Sequence, residues 1–346
     1  MNSIEKNNLN NAANTVIVRD LKGLLNCLSV KDLRYTLRMI TDDKLNRVPK
    51  KELVIKLYDA ITTEMGLRNI ISKLLDNEFK LLKRIVVNDG VLQDNMVPME
   101  DYHILYILGI VFLFRRGNKF YISMPTDVYE VMKNINMDDF IGEVNDNTKI
   151  YEMYLAMIRL YGVITIDDLV NAYNFYYGEV DRNKVTMLLS WERLDSFGTL
   201  IDGKMYYVAN ILHDEDFWDI RDEIIERQKE ISCKRLSLEE LLKYRDFDYF
   251  DENIIPDEFI KYLKGKNVSN AKVDSLLFSI CNHYKLGHEY VATTFEMLIN
   301  NGIDIKEDEL QMVLGYLLSI YNNTRLWINH GWTPIELRDE MVNENI

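Results

Sequence analysis

Between Phe197 and Asn210 the sequence FGTLIDGKMYYVAN alternates apolar and polar positions on both sides of Asp202-Gly203. That pair supplies the positive φ angles a two-residue hairpin turn requires. The pattern recurs in looser form from Ile110 to Met124, around Arg115-Arg116-Gly117-Asn118-Lys119. Before this earlier hairpin, apolar residues at helical spacing predict one long helix over Asn69 to Gly90 and another from Pro98 to Gly109. Proline in a first turn and glycine past a last one mark their ends. Before the later hairpin, a helix is expected over Ile150 to Tyr161, closed by Gly162. A short strand VITI, a helix opened by Thr165 with Asp168, and a third helix over Asp181 to Leu194 follow. Helices running into a hairpin predict two winged-helix-like units. Arg116 to Tyr121 lies over Asp202 to Tyr207 with one residue of slack, so the two read as diverged repeats.

The first dozen residues are Asn-rich and aperiodic, and are expected to fray, with structure starting near Thr15. From Leu28 to Ile61, Ser29 and Asp32 form a short-armed capping box ahead of Leu33, Leu37 and Ile40. Pro49 then opens a second run with Leu53, Val54, Leu57 and Ile61. The loop between them, LNRVPKK, carries Arg47, Lys50 and Lys51. This pair of helices resembles the SAP and Rho N-terminal modules, a resemblance that implies DNA or RNA binding. A small helical adaptor fits the same residues. A further helix is expected after Pro125. Asp138 to Thr148 reads as a polar linker, and His213 to Ile231 as a long helix with an acidic start. From Ser237 onward short helical runs, punctuated by Gly265, Gly287 and Gly302, predict a bundle. The expected fold class is therefore mainly α, with a helix-loop-helix module (15–66), two winged-helix-like units (67–137 and 148–232) with short β-hairpins, and a C-terminal helical bundle (233–346).

The chain closes on Asn322-Asn323-Thr324-Arg325-Leu326-Trp327, then Gly331, Thr333-Pro334 and Glu336-Leu337. This string resembles an ending found in uncharacterised proteins of low-GC Gram-positive bacteria and their phages, where it often precedes a SEC-C-type zinc motif. The present sequence departs from that pattern at Trp332 and in having no Cys/His cluster after it. Thr333 and Glu336 make a capping box with Pro334 at the first helical position. Arg325 stacked with the two tryptophans would lock the last helix in place.

The 346 residues carry 47% hydrophobic and 28% charged residues, with 15 Gly and 5 Pro, a composition suited to several helical domains. Net charge is −14, unevenly spread. Residues 1–90 hold 16 Lys and Arg against 11 Asp and Glu, a net +5, which leaves −19 for the remainder. A basic front points to DNA or RNA, held by Arg47, Lys50 and Lys51 with the hairpin cations Arg115, Arg116 and Lys119. Those hairpin charges also fit a solvated turn that keeps an edge soluble. The acidic remainder suits a basic protein surface as the alternative partner. Cys27, Cys233 and Cys281 form no pair, the N-terminus lacks a signal-peptide core, and no apolar run reaches the ~18 residues of a membrane span, so a reduced cytoplasmic setting without membrane contact is expected. Phosphate loops, nucleophile elbows and metalloprotease helices are missing from the sequence, and neither catalysis nor a cofactor is expected. Cys281, His283 and His288 form the nearest metal-like spacing, without a fourth ligand.

Overall fold

Local signals set most helix starts. Ser29 and Asp32 exchange the two hydrogen bonds of a capping box before helix Val30–Ile40, and Thr165 with Asp168 does the same before Ile166–Tyr177. Helices Lys50–Ile61, Met99–Ile107 and Thr126–Met132 each follow a proline. The apolar positions anticipated in the first two long runs, Leu33, Leu37, Leu53, Val54, Leu57 and Ile61, are buried. The computed structural model describes residues 2–343 apart from 42–44, 46, 192, 194–197, 202, 267 and 288–290. Over these the chain is mainly helical, with two small antiparallel sheets. Contacts group it into two compact units, Met1–Tyr151 with Asn183–Ser196, and Glu152–Arg182 with Phe197–Ile346.

In the first unit, strands β1 (Val91–Gln93), β2 (Phe112–Arg116) and β3 (Lys119–Ser123) form a sheet in the order β1-β3-β2. The expected hairpin is present, with Arg116 opposite Lys119 and Gly117 at φ 58 in the turn between them. Among the described residues, those before Thr15 form structure rather than fraying. Helix Ser3–Asn11 starts on Asn2, whose side chain accepts from the Ile4 N–H at 2.7 Å. Asn8 is buried, donates to the carbonyls of Asn95 and Val97 at 3.0 and 2.9 Å, and accepts from the Tyr102 hydroxyl at 2.8 Å. Ala13 then pairs with Phe114 as a parallel bridge at the edge of the sheet.

The long helix expected over Asn69 to Gly90 is two helices, Glu64–Ile71 and Asp76–Val87. The break has a cause in side chains. Glu78 turns back to accept the Leu75 N–H at 2.8 Å, and Asn147 donates to the carbonyls of Ser72 and Leu74 at 2.8 and 3.2 Å, so the freed backbone groups are satisfied. Asn147 belongs to helix Ile141–Tyr161, which occupies most of the stretch read as a linker. Phe140, Val144 and Asn147 are all buried.

Arg193 pairs with Glu78 in the same place. Nε lies 2.8 Å from Oε1 and Nη2 3.1 Å from Oε2, with side-chain exposures of 5% and 1%. Its remaining donors reach the carbonyls of Leu188 and Lys73 at 3.2 and 3.1 Å, and the Trp191 indole donates to the Met39 carbonyl at 3.0 Å. These bonds place Asn183–Ser196 in the first unit, although sequence order puts it between helices of the second. Leu194, the expected end of that helix, and Glu192 lie outside the described residues; the helix spans Arg182–Ser190.

In the second unit, β4 (Val163–Ile164), β5 (Gly198–Ile201) and β6 (Lys204–Val208) repeat the first sheet's order as β4-β6-β5. Gly203 has the positive φ the hairpin demands, at 76°, while Phe197 and Asp202 lie outside the described residues. One helix separates β1 from β2, and two helices lie between β4 and β5. The acidic run after this hairpin forms a shorter helix than expected, Trp218–Gln228.

Helices Asp257–Lys264, Asn270–Lys285, Val291–Asn300 and Leu310–Asn323 enclose a core that includes Phe259, Leu276, Ile280, Leu317 and Ile320. The closing string fastens this unit by hydrogen bonds more than by stacking. Arg325 binds Glu336 at 2.8 Å and the Gly331 carbonyl at 3.1 Å, and Thr333 and Glu336 form the expected box. The Trp327 indole donates to the Arg159 carbonyl, and the Trp332 indole to that of Ser232. Lys234, not Arg325, sits over the Trp332 ring, 4.1 Å from its centre. Gly162 has φ 75, and a Cβ there would lie 2.5 Å from the Trp327 ring, so both backbone angle and space require glycine.

Removing one member of a buried ion pair strands the other, at a cost of about 3–5 kcal/mol. Arg193→Met should destabilise the first unit by about that amount in urea unfolding. In the double-mutant cycle with Glu78→Gln, which keeps an acceptor for Leu75, the two costs should fall short of additivity by about 1–3 kcal/mol. Strict additivity would show that the pair is not coupled.

Candidate nucleic-acid interface

Helix Leu21–Cys27 starts on Asp20, whose carboxylate accepts the Gly23 N–H at 3.1 Å. It lies beside helix Lys50–Ile61, and Lys50 Nζ joins them by donating to the Asn26 carbonyl at 2.7 Å. Between them runs a groove of ≈ 660 Å³ lined by Lys22, Asn26, Lys50, Lys51, Ile55 and Tyr58, with Asp59 its one carboxylate lining residue. Lys22 Nζ stands 4.6 Å from the Tyr58 ring centre, and the Tyr58 hydroxyl donates to Asp127 at 3.1 Å. Burial, followed by that hydrogen bond and the nearby carboxylates, pushes the Tyr58 phenol above its ordinary pKa, so it adds no negative charge. Helix Lys50–Ile61 has no side-chain cap, and its N-terminal N–H groups add partial positive charge at the same end.

Several cations of this region have no carboxylate partner among the described residues. Among the described residues, Lys22, Lys31, Arg38, Arg47, Lys50 and Lys51 form no ion pair. Arg68, Lys80, Lys83 and Arg84 each meet a carboxylate at 3.1 Å or less. Arg47 is exposed at φ 66, next to the Val48 carbonyl that Arg34 holds at 3.2 Å. Lys50 and Lys51, expected in a loop, open helix Lys50–Ile61 and share this groove, and Arg47 lies in the loop that leads into it. Lys22 was not anticipated. Asp20 ahead of Leu21, Leu24 and Leu25 was the available signal for a capped helix carrying it.

The hairpin splits its three cations. Arg116 and Lys119 are exposed and opposite each other at the turn. Arg115 is half-buried opposite Phe120, on the face that Leu113 and Ile122 turn to the core, and its Nη1 donates to the Leu9 carbonyl at 3.0 Å. Strand alternation separates Arg115 from Arg116.

Charge divides along the two units. The first holds 23 Lys and Arg against 22 Asp and Glu, the second 18 against 33. In the second unit, Cys281 is buried in the helical core, with His283 two residues on, pointing elsewhere; burial lowers the His283 pKa. His288 lies outside the described residues, and no group of three metal-binding side chains occurs among those described. Lys285, one turn after Cys281, is 9% exposed. Burial above all lowers its pKa from 10.5 to about 8, with Arg159 acting in the same direction and Cys281 and Asp251 opposing.

No family model, curated protein or solved structure matches this chain.

The folded chain binds the Lys285 proton more weakly than the unfolded chain, so the cost of burying the charge is complete below about pH 8 and fades toward pH 10.5. Lys285→Met should therefore raise unfolding free energy at pH 7 by about 3–4 kcal/mol, at ~1.4 kcal/mol per pKa unit. Its advantage over the parent protein should shrink as pH rises from 8 to 10. Urea melts of both proteins across that range check this. A pH-independent difference would mean that Lys285 does not carry the effect.

Proposed function

We propose that this protein binds nucleic acid through its first unit, without catalysing a reaction on it. The observation that carries the reading is the groove in which Lys22, Lys50 and Lys51 gather from two helices with no ion pair among them. A groove with ammonium groups and an aromatic wall suits a phosphate backbone, where affinity comes from displaced counterions rather than from base contacts. The uncapped start of helix Lys50–Ile61 favours the same negative charge. Arg47 extends the path beyond the groove.

The two sheets with their shared strand order are winged-helix-like in this proposal, and the first hairpin is the wing that reaches phosphate. Arg116 and Lys119 are its contacting residues, and Arg115 acts by holding helix Ser3–Asn11 to the hairpin. The tip of the second hairpin offers Lys204, and its unit carries the acidic surplus, which supports keeping nucleic acid on the first unit.

Mixed-sequence duplex DNA and RNA should both shift in a low-salt mobility assay, with affinity falling steeply as salt rises. Each lost phosphate contact reduces the salt slope by about 1, so Lys22→Ala with Lys51→Ala should lower it by about 2. Arg116→Ala with Lys119→Ala should weaken binding by a similar step. Arg115→Ala should act on stability before it acts on binding. Absence of any shift at low salt would overturn the proposal, and recovery of a stoichiometric, nuclease-insensitive protein partner for the acidic unit would favour an adaptor instead.

A further inference from the structure

A second pocket, of ≈ 140 Å³, lies wholly within the second unit. Its floor is apolar and buried, built from Met157, Tyr161, Ile164 and Leu241. Asp168, Asn171, Phe175 and Arg235 form an exposed rim, with Cys233 half-buried between floor and rim. Several polar groups here are already committed. The Tyr161 hydroxyl donates to the Lys234 carbonyl at 2.8 Å, and the Tyr176 hydroxyl to that of Leu236. His330 Nδ1 is 2.8 Å from the Ile231 carbonyl, and burial lowers the pKa of its ring, which leaves it neutral at pH 7.

Other groups are uncommitted. Arg235 lies over Phe175, 4.8 Å from the ring centre, and among the described residues it makes neither an ion pair nor a hydrogen bond. Asp168 spends Oδ2 on Thr165, and among the described residues Oδ1 has no hydrogen-bond or ion-pair partner. The Asn171 amide has none either. Opposite charges thus line one small pocket without pairing with each other. The volume is close to the ~150 Å³ of a cavity that admits benzene, well below the ~300–1,000 Å³ of pockets for larger ligands.

We propose that this pocket binds a small monocarboxylate that also carries a hydrogen-bond donor, the class of simple amino acids. Arg235 takes the carboxylate, Asp168 and Asn171 meet the donor, and the aliphatic or aromatic remainder rests on the floor. The Cys233 thiol lines the same space and reports on what enters it.

The test uses the full chain carrying Cys27→Ser, so that Cys233 is the accessible thiol; Cys281 is buried. Iodoacetate and iodoacetamide alkylate by the same displacement. The thiol loses its proton to solvent, sulfur forms a bond to the methylene carbon, and iodide leaves. Cys233 should prefer iodoacetate over iodoacetamide at least tenfold more than free glutathione does, and its rate should saturate with iodoacetate. Arg235→Gln should bring the ratio of the two rates to the glutathione value. Glycine should protect Cys233 at lower concentration than acetate, and Asp168→Asn should remove that advantage. A glutathione-like preference, an unsaturable rate, indifference to Arg235→Gln, or a Cys233 that neither reagent modifies would each overturn the proposal.

Discussion

The first unit depends on the bidentate pair between Glu78 and Arg193. Water is almost excluded from both side chains, and the desolvation cost of such a pair is repaid only when each remaining donor and acceptor is also satisfied. Here they are. Glu78 accepts the Leu75 N–H in addition to the guanidinium, and Arg193 reaches the carbonyls of Lys73 and Leu188. The pair therefore does three things together: it starts helix Asp76–Val87, satisfies the chain break before it, and holds a segment distant in sequence. Trp191 adds apolar area next to it, with Lys73 and Arg193 both near the indole ring. With the Trp191–Met39 bond, the pair joins Asn183–Ser196 to residues more than a hundred positions earlier.

That interaction also marks the boundary of what the sequence made legible. Helix starts at Ser29, Thr165 and Ser237, the prolines before helices, and both hairpins follow from residues within four positions of each other, and these were readable. Helix Ser3–Asn11 and the start of Ile141–Tyr161 were not. Their polar residues suggested exposure, yet Asn8 and Asn147 are buried because carbonyls some 70 to 90 residues away accept from them. A buried asparagine has the same signature in sequence as one in a loop. Strand β1 was missed for a related reason, as three residues carry no period and the pairing with β3 defines them.

The candidate interface shows the same division. Lys50 and Lys51 could be read from a helix start, whereas Lys22 joins them through a tertiary contact between two helices. Arg115 is half-buried and Arg116 exposed because, on a two-faced hairpin, neighbours in sequence have different surroundings. The closing Asn-Arg-Trp string was readable as a fastening. Its partners, the carbonyls of Arg159, Ser232 and Gly331, were not, because backbone acceptors carry no sequence signature.

Net charge alone would argue against a nucleic-acid partner, since the chain carries −14. At physiological ionic strength, however, exposed charges act over roughly 8 Å, so a phosphate responds to the groups around it and not to the sum over the molecule. A lysine already paired with a carboxylate contributes little at that range, because the pair presents a dipole. The first unit is close to neutral by count, yet among the described residues its cations include Arg68, Lys80, Lys83 and Arg84, each matched by an acid, and Lys22, Lys31, Arg38, Arg47, Lys50 and Lys51, which are not. Three members of the unmatched population share one groove, and under the proposed function they are where a polyanion would release counterions. In the proposed reading, the acidic surplus of the second unit favours that groove by making the alternatives repulsive, so specificity of place would come from charge segregation even though total charge is unfavourable.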